Sequence, residues 1–186
     1  MPMSQAIDIE TLEKRTVVIK RVAKVVAGGK RLKMSVWVVV GDGNGRVGIG
    51  HGKAAEVPDA IQKATQRAAK NMIETYIING TIPYEVEGKC GAVKVLLKPA
   101  APGTGLRASL PVRAVLECAG YRNMIAKTYG SRNPINALQA TMNALRKIRD
   151  PKLIAKIRGK PIKTLIRRFF HEAIESEVKE EHNREE

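Results

Sequence analysis

Val38-Val-Val-Gly-Asp-Gly-Asn-Gly-Arg-Val-Gly-Ile-Gly-His-Gly-Lys-Ala-Ala-Glu-Val-Pro58 carries the chain from a β-prone run, through a tight turn, to the start of a helix. Asp42-Gly43 and Asn44-Gly45 are both strong hairpin signals, because the turn that matches strand twist needs residues that accept positive φ. Upstream, Arg31–Val40 alternates, with Met34, Val36, Val38 and Val40 on one face and Lys33, Ser35 and Trp37 on the other. Downstream, Arg46–His51 reads as the returning strand. Val17–Val26 reads as an earlier strand, turned back at Gly28-Gly29, so the expected arrangement is a three-stranded antiparallel meander. A helix is expected from Val57 to about Ile77. Pro58 suits its first turn, Val57, Ile61, Ala64, Ala68 and Met72 form an apolar stripe, and Lys63, Arg67 and Lys70 form a basic one.

The arm from Lys14 to Lys33 has eight basic residues and no acidic one. Lys14, Arg15, Lys20, Arg21, Lys24, Lys30, Arg31 and Lys33 punctuate its apolar, β-prone background. Such a ribbon is suited to nucleic-acid phosphates; a lysine-protected, solvated edge hairpin has the same pattern. The wider balance favours a polyanion. Among 186 residues, Lys and Arg number 33 against 18 acidic residues, a net charge of +15. Aromatic residues make up 4% of the chain, which favours recognition of backbone and shape over base stacking. No apolar stretch approaches the ~20 residues of a membrane span. Met1 to Glu13 has no signal core, which argues against secretion. Cys90 and Cys118 read as ordinary thiols in a reduced compartment.

Asn79–Pro83 reads as a linker to a second unit. Strands are expected at Tyr84–Glu87, Ala92–Leu97 and Asn123–Thr128. Helices are expected at Val112–Ala119, stopped by Gly120, and from the Asn133-Pro134 cap to about Ile148, with a short one after Asp150-Pro151. The whole is an α+β chain of two domains. Residues 1–12 are a flexible N-terminus, 13–78 the first domain, 79–83 the linker, 84–160 a C-terminal βαβα sandwich, and 161–186 a helical extension with an acidic end.

Catalytic motifs are weak. Gly43-Asn-Gly45-Arg-Val-Gly48 matches a dinucleotide fingerprint only in letters, because a strand and not a helix follows it. Gly52-Lys53 lacks the rest of a P-loop. His51, His171 and His182 have no ligand partners at metal spacing and read as ordinary polar residues. No enzyme, cofactor or small-molecule substrate is expected.

The Val38–Pro58 run resembles the signature of the bacterial-type family of small-subunit ribosomal protein five. So do Arg21–Lys30, Asn79–Pro83, Lys98–Gly105, Arg113–Glu117 and Gly130–Asn136, in the family's order. The resemblance implies a first domain similar to a double-stranded-RNA-binding domain. It implies a structural role in the small ribosomal subunit, with ribosomal RNA and ribosomal proteins four and eight as partners. It places such proteins in the cytoplasm on the ribosome (an organellar ribosome included), where messenger RNA enters, with an influence on translational accuracy. Residues expected at ribosomal RNA are Arg21, Lys24, Gly28, Gly29, Lys30, Arg31, Lys33, Arg46 and Lys53. Those expected at the protein interface are Gly103, Thr104, Gly105 and Arg113, with Arg113 and Glu117 spaced to pair on one helix. Two departures from the family pattern are Ala27, where a basic residue is usual, and Ala108-Ser-Leu-Pro111, where alanine-glycine-glycine is usual.

Overall fold

The structure is a computed structural model and describes residues 11–159. Three long strands open it: β1 (Glu13–Val26), β2 (Gly29–Gly41) and β3 (Arg46–Ala54). They form the expected antiparallel meander, and a two-residue strand, β4 (Ile73–Glu74), adds a fourth member beside β3. Helix α1 (Val57–Lys70) is shorter than its apolar stripe predicts. It closes at Asn71, and the chain past Met72 is drawn into β4 and away from the helix axis. Leu12 is buried with the core under α1, so order reaches back into the segment expected to be loose.

The second half contributes β5 (Val86–Cys90), β6 (Val93–Pro99), β7 (Leu106–Arg107), α2 (Leu110–Ala119), β8 (Met124–Gly130), α3 (Pro134–Leu145) and α4 (Pro151–Arg158). Its sheet runs β5-β6-β8-β7, with β7 parallel to β8. The caps follow the sequence: Gly120 is left-handed at the end of α2, and the Asn133 carboxamide oxygen accepts from the Ile135 amide at 3.1 Å. Asp150 does the same for Lys152 at the start of α4. Each such N-cap is worth about 1 kcal/mol. The expected helical extension at 161–186 and the first ten residues lie outside the described residues.

The two halves share a core. Helix α1 covers one face of the first sheet over Val36, Val38 and Val40. Helix α2 covers part of the other face, and an unbroken apolar cluster runs from Val39 and Val47 through Val115 and Leu116 to Leu97, Met124 and Leu138. Strand β2 is therefore apolar on both faces where it is sandwiched. The Asp42–Gly45 turn explains the join. Its amides at Gly43 and Gly45 donate to the carbonyls of Cys118 (3.0 Å) and Ala119 (2.9 Å), satisfying the end of α2. The expected linker is part of this packing. Thr81 and Ile82 are buried, Ile78 pairs with Thr81, and the Gly80 carbonyl accepts from the Arg122 and Asn123 amides.

The glycines of β3 have a packing role. A Cβ at Gly48, Gly50 or Gly52 would overlap the carbonyl oxygen of Ala68, Ala64 or Ala60 respectively. Strand and helix touch backbone to backbone along the whole of α1, and Gly88 of β5 meets Ala140 of α3 in the same way.

Gly50→Ala should lower stability by about 3 kcal/mol or prevent folding, because neither rigid backbone can withdraw; urea midpoints check this. The Cys118 thiol is buried and pushed up to about 12 by that burial, whereas Cys90 is half-buried and bonded to Gln139. A thiol reagent at neutral pH should label Cys90 in the native protein and Cys118 only after unfolding, as read by peptide mass mapping.

Candidate nucleic-acid interface

Strand β3 stops pairing with β2 at the Met34–Ala54 row, so the rest of β1 and β2 projects past the sheet as a two-stranded ribbon. Its tip is Gly28-Gly29, with φ of 109° and 145° and open space around both. Only glycine sits comfortably there.

Cross-strand rows decide which cations act together, since opposed residues share a face. Lys20 stands in a row with Ser35 and Lys53, Val22 with Lys33, and Lys24 with Arg31. Those rows alternate, so Lys20, Lys24, Arg31, Lys33 and Lys53 form one basic face, all exposed. Arg21 (opposite Met34) and Lys30 (opposite Val25) lie on the other face, beside exposed Ile19, Leu32 and Val25. The expected set is thus split between two faces, and Lys20, which the resemblance does not single out, stands on the basic one. Period-two alternation from Lys20 is the signal that identifies it.

Arg46 behaves differently. Its guanidinium pairs with Glu74 of β4 at 3.1 Å, so its charge is already answered. Glu117 pairs with Arg15 of β1 at 3.3 Å and not with Arg113, tying α2 to the first sheet. Both pairs are exposed and worth at most about 1 kcal/mol each. Arg113 donates to the Leu106 carbonyl at 3.2 Å. That bond brings it to the loop of Gly103, Thr104 and Gly105, whose two glycines have φ of 86° and 70°. The loop is fastened by the Gly105 amide to Asn123 at 3.1 Å, and exposed Leu110 stands close by in sequence. The four residues expected at a protein interface therefore share one surface, some distance along the chain from the ribbon.

At the base of the basic face, Trp37 and His51 stack with centroids 4.7 Å apart, and the His51 Nε2 is 2.8 Å from the Ser35 hydroxyl. The Arg67 guanidinium donates to the His51 carbonyl at 2.8 Å. Burial, then Lys53, then Arg67 lower the His51 pKa from its ordinary value of 6.5. The imidazole is thus set in a defined environment that its place in the sequence does not announce. Among the described residues no group of side chains could hold a metal, and no helix is long and apolar enough to cross a membrane.

The unfolded chain binds a proton at residue 51 more readily than the fold does, so the unfolded state gains protons as pH falls. The stability this histidine confers is present above about pH 6.5 and is lost below it. Thermal midpoints should fall more between pH 7 and pH 5.5 for the native protein than for His51→Gln.

Residues 12–75 match the family described as "Ribosomal protein S5, N-terminal domain", and residues 88–158 match "Ribosomal protein S5, C-terminal domain". The small ribosomal subunit protein uS5 of Thermotoga maritima is 52% identical over 152 residues, covering 82% of this chain and 85% of that protein. The same protein of Thermotoga neapolitana is 50% identical over 161 residues, covering 87% and 90%. That of Syntrophobacter fumaroxidans is 52% identical over 148 residues, covering 80% and 89%. With both halves matched in order, the chain belongs to the ribosomal protein S5 family, whose members are structural, non-enzymatic components of the small ribosomal subunit.

Proposed function

We infer that this chain is held in the small subunit by ribosomal RNA lying along the basic face of the ribbon. The observation that carries this reading is the register: Lys20, Lys24, Arg31, Lys33 and Lys53 stand on one face of a projecting ribbon, with no acidic residue between Lys14 and Lys33. Neutralising phosphates releases counterions and drives binding. Gly28 and Gly29 let the tip backbone approach sugar and phosphate closely. Arg21 and Lys30 reach RNA from the second face, and Arg46 contributes only where Glu74 is displaced. Arg113 and the Gly103–Gly105 loop form a separate surface for a neighbouring ribosomal protein, with four and eight as the partners that the family resemblance suggests. Placement where messenger RNA enters, and an effect on accuracy, belong to the same reading. So does the division into domains 13–78 and 84–160.

Binding to a small-subunit ribosomal RNA transcript should fall steeply with salt. For about seven phosphate contacts the affinity drops ~10³-fold or more from low to physiological salt. Replacing Lys24, Arg31 and Lys33 together by alanine should lower the log–log salt slope by about 0.9 for each phosphate that is no longer neutralised. It should also reduce incorporation into subunits on sucrose gradients. An unchanged slope with normal incorporation would remove the ribbon from the interface.

A further inference from the structure

The Trp37–His51 stack is left over from the packing of the fold. Trp37 rests partly on the shared core, while His51 stands on β3, whose outer edge is paired, among the described residues, only at Arg46 and Val47. The centroid spacing of 4.7 Å equals the usual separation of neighbouring strands. The two rings, only 22° from parallel, therefore stand side by side across the sheet like successive members of a ladder. Val18 precedes them in the same row on β1, and among the described residues no further strand continues the row beyond His51. Among the described residues His51 is the outermost ring of this stack.

The surroundings suit a nucleotide. The Ser35 hydroxyl, 2.8 Å from Nε2, fixes the orientation of the imidazole. Lys53 is two residues on along the same face, and Lys20 and Ser35 share its row. From the helix side, Arg67 is anchored on the His51 carbonyl, with Lys63 and Lys70 one turn to either side of it on α1. Ile49, two residues before His51, opens onto a cleft of about 520 Å³ between the two halves, lined also by Lys70, Asn71, Gln139, Asn143 and Arg146. A flat ring, a ring of cations and amide groups beyond it are the parts with which proteins hold an unstacked base and its phosphates. The lowered pKa of His51 keeps the ring uncharged at neutral pH, so the site offers a π-face and not another point charge.

We propose that a base from single-stranded RNA stacks on the outer face of His51 as the third member of the Trp37–His51 ladder, with its flanking phosphates on Lys53 and Arg67. This rests on the RNA-binding reading above and adds to it a site that recognises a base instead of backbone alone. The contribution of stacking is independent of salt, which separates it from the ribbon's contribution.

The test uses the intact protein, a labelled single-stranded oligouridylate, a blunt RNA duplex, and the variants His51→Ala and His51→Tyr. His51→Ala should weaken single-strand binding on the order of tenfold with an unaltered salt slope. His51→Tyr should restore it, and duplex binding should be equal in all three proteins. Emission from Trp37, the chain's single tryptophan, should change on adding the single strand to native protein and not to His51→Ala. Equal single-strand affinity of native and His51→Ala proteins, with the steep salt slope intact, would overturn the stacking site and leave the ribbon reading standing. His51→Tyr as weak as His51→Ala would overturn it too, because the Ser35 bond and not the ring would then matter. Normal RNA binding by His51→Ala with failed subunit incorporation would assign the ring to a neighbouring protein and overturn the proposal. Native protein that binds no RNA would overturn both readings.

Discussion

Strand β3 and helix α1 approach so closely that no side chain fits between them at three successive points, Gly48, Gly50 and Gly52. Everything on the first sheet is placed by this approach. It lays α1 flat along β3 and frees the opposite face of the sheet for α2. It also sets the basic side of α1 beside the outer edge of β3, where Arg67 reaches the His51 carbonyl. A larger residue at any of the three glycines would meet a helix carbonyl that cannot withdraw, and the placement of the α1 cations beside the ribbon would be lost with the fold. The alanines opposite, Ala60, Ala64 and Ala68, are as much a part of this device as the glycines.

The meander is legible in the sequence because three independent signals agree: alternation in Arg31–Val40, two turn dipeptides at 42–45, and a glycine pair at 28–29. The C-terminal caps are legible for the same reason. Gly120, Asn133 and Asp150 are local rules that tertiary structure has no cause to override. The end of α1 is not legible, because Met72 and the residues after it continue an apolar pattern that a strand uses equally well. The burial of the linker is hidden because Asn-Gly at 79–80 is turn chemistry whether the turn faces solvent or a neighbouring helix. The very short strands β4 and β7 carry too few residues to show any period.

For the candidate site, charge and glycine placement identify the ribbon, but not the division of its cations. Facing follows from register, and a bulge between Thr16 and Val18 shifts Lys14 and Arg15 out of the alternation that runs from Lys20 onward. Of the second hairpin's glycines that look like a phosphate loop by spacing, Gly48 is explained instead by helix contact and Gly43 and Gly45 by their positive φ in the turn. Arg46 looks free in the sequence because its carboxylate partner, Glu74, lies 28 positions away in a strand too short to anticipate. Trp37 and His51 cannot be paired without knowing that they fall in one row.

The second face of the ribbon has a consequence for the protein before it meets its partner. Ile19, Val25 and Leu32 are exposed at 49%, 73% and 53%, on a long strand pair whose outer edge is unpaired among the described residues. Such surfaces promote edge-to-edge association of unassembled copies. Arg21 and Lys30 interrupt this face, and Lys20, Lys24, Arg31 and Lys33 line the opposite one, so two ribbons repel before their edges can join. These charges thus act as a colloidal guard on the newly made chain, and if a polyanion neutralises them as proposed, the guard is removed only when a partner already covers the strands.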